Sequence, residues 1–186
     1  MSTLASQRRT YTPEDLLAMP NGVGYELVDG KLVERHVSVE SSRVAMKIGI
    51  LLGVEALRTG EATVFASDLG YRCFPDDPGR VRKPDVSVVR KARLAEFKSD
   101  RGYMTVPADL AVEVVSPNDL YSEVQAKVEE YLEAGFAVVW VVDPVHKAVA
   151  VYNGGGGVKM LHEAETIDAA PAIGSFHARV GDFFAE

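Results

Sequence analysis

The run Leu110-Ala111-Val112-Glu113-Val114-Val115 limits what this chain can fold into more than any other stretch. It is apolar at every position but one and shows no polar–apolar alternation, so it reads as a central strand covered on both faces. Ser116-Pro117-Asn118-Asp119 then ends the strand. Helical spacing follows from Tyr121 to Ala134, stopped by Gly135 just past the last turn. A second buried strand, Ala137 to Val142, closes at Asp143-Pro144. This strand–helix–strand unit implies an α/β fold whose sheet carries helices on both faces. Glu113 is the anomaly. A carboxylate in a buried strand is costly unless it is paired, hydrogen-bonded or bound to a cation.

The remaining elements fit around that unit. Thr12-Pro13-Glu14-Asp15 predicts a helix start, with Thr12 as cap and proline at the first helical position; the helix should end near Pro20. Tyr25–Val28 and Lys31–Glu34 flank Asp29-Gly30, a favoured hairpin turn. From Val39 to Leu57 the spacing is helical, and Val44, Ile48, Leu51, Leu52 and Leu57 can share one stripe. Gly49 and Gly53 in that helix suggest close packing. Short strands are expected at 62–66, 69–74, 85–89 and 109–115. Residues 147–152 and 158–162 predict a hairpin around Asn153 and four glycines, and residues 163–186 carry weak strand signals. No repeat or linker divides the 186 residues, so residues 11–186 are expected to form one domain after a polar, flexible segment 1–10.

A single cysteine, Cys73, rules out an internal disulfide and fits a reducing cytoplasm. The first twenty residues lack the apolar run of a signal peptide, and no stretch approaches a membrane span. A net charge of −7 argues against indiscriminate nucleic-acid binding. Locally the balance reverses. Between Arg80 and Arg101 stand eight basic residues, Arg80, Arg82, Lys83, Arg90, Lys91, Arg93, Lys98 and Arg101, against Asp85, Glu96 and Asp100. That run is either a solvated basic loop or a patch facing phosphates. Arg80, Arg82 and Lys83 from it are the expected nucleic-acid contacts, with Arg43 and Lys47 on the polar side of the first long helix.

Asp85 follows Pro84 at the head of an apolar strand, and Glu26 sits in the first hairpin beside Leu27 and Val28. Carboxylates on adjacent strands, with a backbone carbonyl beside them, make a hard-oxygen site suited to Mg²⁺. Lys127 shares a helix face with Glu123, four residues earlier, and that face points back toward Glu113. The pair also reads as an ordinary surface ion pair, Asp85 as a strand-edge residue, and Glu113 as one half of a buried pair with an arginine. Other sites are poorly supported. His36, His146, His162 and His177 lack zinc spacing, Ser116 lacks a nucleophile elbow, and Gly154–Gly157 lack the lysine of a phosphate-binding loop.

Four motifs occur in order: Tyr25-Glu26-Leu27-Val28-Asp29-Gly30; Lys83-Pro84-Asp85-Val86-Ser87-Val88-Val89; Val112-Glu113-Val114-Val115-Ser116-Pro117; and Lys127 followed by Tyr131, Gly135, Trp140 and Asp143-Pro144. Over roughly residues 11–183 the chain resembles the Uma2 family of restriction-endonuclease-like proteins, within the PD-(D/E)XK nuclease superfamily. The resemblance implies a restriction-endonuclease-like core, a mixed central sheet flanked by helices with added β-hairpins. It implies a metal-dependent endonuclease that hydrolyses phosphodiester bonds, in DNA by expectation, with water activated by Mg²⁺ (Mn²⁺ as a substitute). Asp85, Glu113 and the Val114 carbonyl would hold the metal, and Lys127 and Glu26 would join the catalytic set. The superfamily lysine two residues after the second acid is replaced here by Val115, and Lys127 takes its place from the following helix. Glu123 would orient Lys127. The family often carries a histidine just before the first long helix, where this chain reads Glu40-Ser41-Ser42. A nuclease fold without activity, serving nucleic-acid binding or protein interaction, is the alternative. Cutting two strands further suggests a homodimer, with the outer hairpins 25–34 and 147–162 as interface elements.

Overall fold

The computed structural model describes residues 10–97 and 102–185. Most of the flexible segment expected at 1–10 therefore lies outside the described residues, as do Lys98, Asp100 and Arg101 of the basic run. Helix α1 (Pro13–Ala18) is closed by a reciprocal capping box between Thr12 and Asp15, which satisfies donors that the first turn leaves open. Strands β1 (Tyr25–Val28) and β2 (Lys31–Glu34) pair through Asp29 and Gly30, both at positive φ, the conformation this tight turn requires. Helix α2 (Val39–Thr59) starts at a second capping box, Ser38 with Ser41. It ends on Gly60 at φ 69°.

A six-stranded sheet follows. It is built from β3 (Ala62–Ala66), β4 (Val86–Arg90), β5 (Leu110–Val114), β6 (Val138–Asp143), β7 (Ala148–Asn153) and β8 (Val158–His162), adjacent in that order. Strands β5 and β6 run parallel, and every other neighbouring pair is antiparallel. A parallel pair needs a long crossover, and helix α4 (Tyr121–Glu133) supplies it. A short helix α3 (Lys91–Leu94) follows β4, and a terminal hairpin of β9 (Thr166–Ala169) and β10 (Ile173–Arg179) completes the chain.

The sheet separates two cores. Val44, Ile48 and Leu52 of α2 pack with Leu110, Val112 and Val114 of β5, Trp140, and Phe176 and Phe183 near the C-terminus. On the other face Ala111, Val139, Tyr71, Phe136 and Tyr131 of α4 form the second layer. Side chains alternate across a strand. Glu113, in step with Ala111, therefore belongs to the face that carries α4.

The structure corrects three expectations and resolves the weak strand signals at 163–186 into a hairpin. Residues 69–74 form no strand: Tyr71 makes isolated bridges to Arg82 and Met104, and its fully buried ring fills the second core. Asp85 stands one residue before β4. Residues 166–179 form a paired hairpin that covers the α2 side of the sheet. Leu57 does not join the core stripe of α2 and is 87% exposed.

Candidate active site

Strand β5 carries Glu113 between Val112 and Val114, and its side chain is almost wholly buried. Asp85 lies at the neighbouring end of β4, where its Oδ2 accepts the Val114 N–H at 2.8 Å. The two acids are thus tied through one peptide of β5. Helix α4 presents Lys127 and Tyr131, four residues apart and on one face. Lys127 Nζ donates to Glu113 Oε2 at 3.1 Å, and Tyr131 Oη donates to Glu113 Oε1 at 2.8 Å. The first hairpin completes the group. Glu26 on β1 is buried, takes the Lys83 N–H at 2.7 Å, and lies 3.3 Å from Lys127 Nζ.

Glu26, Asp85, Glu113 and Lys127 line a cleft of about 230 Å³ together with Arg35, His36 and Asp119. Burial pushes the Glu113 carboxyl up to about 7; Asp85 and Glu26 add to the rise, while Lys127 and the Tyr131 hydroxyl oppose it. Burial also raises Asp85, against the pull of the Val114 N–H and Arg35. For Glu26 burial works the same way, but Lys127, Arg82 and the Lys83 N–H outweigh it and hold the carboxyl below its ordinary value. Burial alone would lower Lys127, yet Glu113 and Glu26 raise it, so it stays protonated. The cleft therefore holds a fixed ammonium next to two carboxyls whose charge is only partly compensated.

Among the described residues no three His, Cys, Asp or Glu side chains are grouped to hold a metal ion. The donor set is Asp85 and Glu113 with the β5 backbone beside them. Two carboxylates are enough for Mg²⁺, which keeps several waters. Two neighbouring carboxyls with raised pKa values are an arrangement that a divalent cation relieves. The residues fit the ion.

The structure redistributes several expected roles. Arg80, Arg82 and Lys83 do not form an exposed patch; all three are buried and turned inward. Arg82 joins Glu26 at 2.9 Å and Glu130 at 2.6 Å, Arg80 joins Asp76 at 2.8 Å, and Lys83 Nζ donates to the Gly22 carbonyl at 2.6 Å. Arg90 and Arg93 likewise turn to the buried Asp109. Buried acids need cations more than the surface does, and this basic run supplies them. Arg43 pairs with Glu40 and donates to the Phe184 and Ala185 carbonyls. Lys47 lies half-buried one turn further along α2, and neither of these two residues lines the cleft. Glu123 is exposed at the cleft rim, while the cation expected to pair with it is held by Glu113 and Glu26. Glu113 pairs with lysine and tyrosine, not arginine.

Sequence reasoning missed Arg35, whose Nη2 donates to Asp85 Oδ1 at 2.9 Å. It follows an exposed strand end, and nothing local marks it. His36 also lines the cleft, two residues before the α2 cap and ahead of the 40–42 position where a histidine was sought.

A mixed sheet with an acid at the end of one strand, a second acid in the next, and a lysine on the crossover helix defines a restriction-endonuclease-like α/β protein. The Uma2 family, described as "putative restriction endonuclease", matches residues 13–181, and the chain belongs to it. A solved structure from Anabaena variabilis, described as a putative nuclease of DUF820, is similar in fold. Its TM-score is 0.78 at 18% identity, over 93% of this chain and 97% of that one. No sequence among curated proteins matches.

Proposed function

We propose that the chain is a metal-dependent endonuclease that hydrolyses phosphodiester bonds in DNA. One observation carries the reading: Asp85, Glu113 and Lys127, from three different elements, meet in one cleft. Asp85 and Glu113, with the Val114 carbonyl, would hold Mg²⁺ or Mn²⁺. When bound there, the ion supplies Lewis acidity toward a phosphoryl oxygen and water. Lys127 contributes a permanent positive charge. Because Glu113 and Glu26 keep it protonated, it acts on the phosphate as a cation, not as a base. Tyr131 fixes one Glu113 oxygen and leaves the carboxyl a single orientation toward the cleft. Glu26 holds Lys127 and Arg82 in place from below and is a positioning residue in this reading.

Arg80, Arg82, Lys83, Arg90 and Arg93 of the basic run are engaged by groups of the protein itself. Arg35, His36, Arg82 and Lys127 are the basic groups that line the cleft, and Arg82 is held by Glu26 and Glu130. Cutting both strands calls for two sites, so the reading includes a homodimer.

A plasmid-nicking assay tests the reading. Supercoiled DNA should be nicked or linearised with Mg²⁺ or Mn²⁺ and left intact with EDTA. Asp85→Asn, Glu113→Gln and Lys127→Ala should each lower the rate by at least about 10²-fold, the scale on which removal of one charge-stabilising group acts. Cleavage that survives all three substitutions would place the chemistry elsewhere.

One observation favours the second reading, a nuclease fold without activity. Arg35 occupies Asp85, and Lys127 occupies Glu113, so the acids already have cations of the protein's own. That reading predicts no metal-dependent cleavage by the parent protein and unchanged binding to DNA after Asp85→Asn. Among the described residues no helix is long and apolar enough to cross a membrane.

A further inference from the structure

Helix α2 is apolar on two opposite faces. Val44, Ile48, Leu52 and Ala56 point into the core. On the far side Val39, Met46, Ile50, Val54 and Leu57 recur at helical spacing and are between 53% and 89% exposed. A surface helix ordinarily carries charged and polar residues there, and a helix apolar all round belongs in an interior. With the neighbouring Val37, these side chains present roughly 600 Å² of apolar surface, at the top of the range for the largest patch on a typical monomer, where such patches are often functional. Arg43, on that side, is drawn away to Glu40 and the C-terminal carbonyls, and Lys47 flanks the stripe half-buried.

Two interior glycines sharpen the case. Each costs about 1 kcal/mol of helix stability relative to alanine. A Cβ at Gly53 would meet nothing within 4 Å, and one at Gly49 would meet only Val86, at 3.8 Å. Packing within the chain does not require either glycine. Both floor a groove of about 400 Å³ between α2 and β3, walled by Met46, Ile50, Val64 and Phe65.

We propose that this face of α2 joins two copies of the chain in a two-fold dimer. The pattern is complementary to itself. Met46 and Val54 are equally spaced on either side of Ile50. An antiparallel crossing centred on Ile50 sets Met46 of one copy against Val54 of the other, with the glycine-floored groove open to the second copy's side chains. The exposed area approaches the ~800 Å² that each partner contributes to a standard interface. An isologous contact of this kind closes on itself and does not extend into a filament. DNA is a poor occupant, since five apolar side chains fill the stripe and its nearest cations are Arg43, paired with Glu40, and the half-buried Lys47 at its flank. In this proposal α2, and not the hairpins at 25–34 and 147–162, is the joining element. The proposal does not rest on the nuclease reading, because mass is measured without nucleic acid.

The test is sedimentation equilibrium of the full chain at micromolar concentration, with vesicles of phosphatidylcholine and phosphatidylserine in a parallel arm. The parent should have twice the chain mass and should not bind vesicles. The Ile50→Lys/Leu57→Lys variant should be monomeric with an unchanged circular dichroism spectrum. A second measurement is independent of that variant. Ile50→Cys, oxidised, should cross-link between copies, whereas Glu129→Cys on the exposed side of α4 should not. Cys73 will not interfere, since burial pushes its thiol up to about 12. A monomeric parent, a parent that is captured by vesicles, a dimer that survives the double lysine substitution, or equal cross-linking at both cysteine positions would each overturn the proposal.

Discussion

Glu113 is held in a protonation balance that its neighbours set. The unfolded chain leaves a glutamate near 4.5, and the native cleft raises it to about 7. With the native pKa above the unfolded one, the folded state binds the extra proton. Stability from this group is therefore greatest below about 4.5 and declines as pH rises to about 7. Glu26 works the other way: its native pKa is depressed, so its contribution is present above 4.5 and is lost on further acidification. Glu113→Gln removes the charged form, keeps the shape, and leaves Lys127 with Glu26. At pH 8 its melting temperature should equal or exceed that of the parent, by up to about 3 kcal/mol in stability. At pH 5 the advantage should vanish. A variant that is strongly destabilised at pH 8 would show that the Lys127 bond outweighs the burial of charge. Arg82 poses the opposite case. Arg82→Ala takes from Glu26 and Glu130 the cation that bridges them, leaving buried charge under-compensated, and unfolding should become easier by about 3 kcal/mol. A change within about 0.5 kcal/mol, typical of a surface position, would mean that Arg82 is not part of the interior. The sequence marked Glu113, Asp85 and Glu26 because each broke a local rule, and Lys127 because its helix face points back toward Glu113. It did not mark Arg35, or the inward turn of Arg82, because a cation's partner is chosen by tertiary contact.

At the scale of elements, β1, β2, α4, β6 and the Thr12 cap were legible because their signals are local: a turn dipeptide, a cap, a run of one period. The strand expected at 69–74 failed for a physical reason. Its pattern reflects the buried rings of Tyr71 and Phe74, not a ladder partner. The terminal hairpin was weak in sequence because its stability comes from packing on Trp140 and α2. Helix α2 was legible as a helix, yet a stripe chosen by hydrophobicity alone could not tell Leu52, in the core, from Leu57, on the outside. Gly53→Ala exploits that outer face. Its added methyl has open space in the chain, so helix propensity should raise monomer stability by about 1 kcal/mol at high dilution. The same methyl sits where the second copy approaches, so self-association should weaken. Chemical denaturation at two concentrations separates the effects. A gain at high dilution with unchanged association would remove the glycine from the interface argument.

For the molecule as a whole, the net charge of −7 and a cleft with raised carboxyl pKa values place the same demand on the solvent. Acids assembled before a cation arrives make the metal-free fold less stable than its packing would allow. A ligand that binds only the folded chain recovers that stability by mass action, about 2.7 kcal/mol at a hundredfold excess over its dissociation constant. Magnesium should therefore raise the parent's melting temperature relative to EDTA at pH 8. The rise should shrink as pH falls through about 7, because Glu113 takes up a proton and ceases to be a donor. Asp85→Asn and Glu113→Gln should each abolish the shift, while calorimetry of the parent should register proton release when the ion binds near neutral pH. Lys127→Ala should keep the thermal shift and lose cleavage, since that residue faces the phosphate, not the ion. If magnesium shifted the parent and both acid variants alike, the ion would be binding elsewhere on the acidic surface. The cleft would then have to be read as a structural network of charges that only resembles a catalytic one.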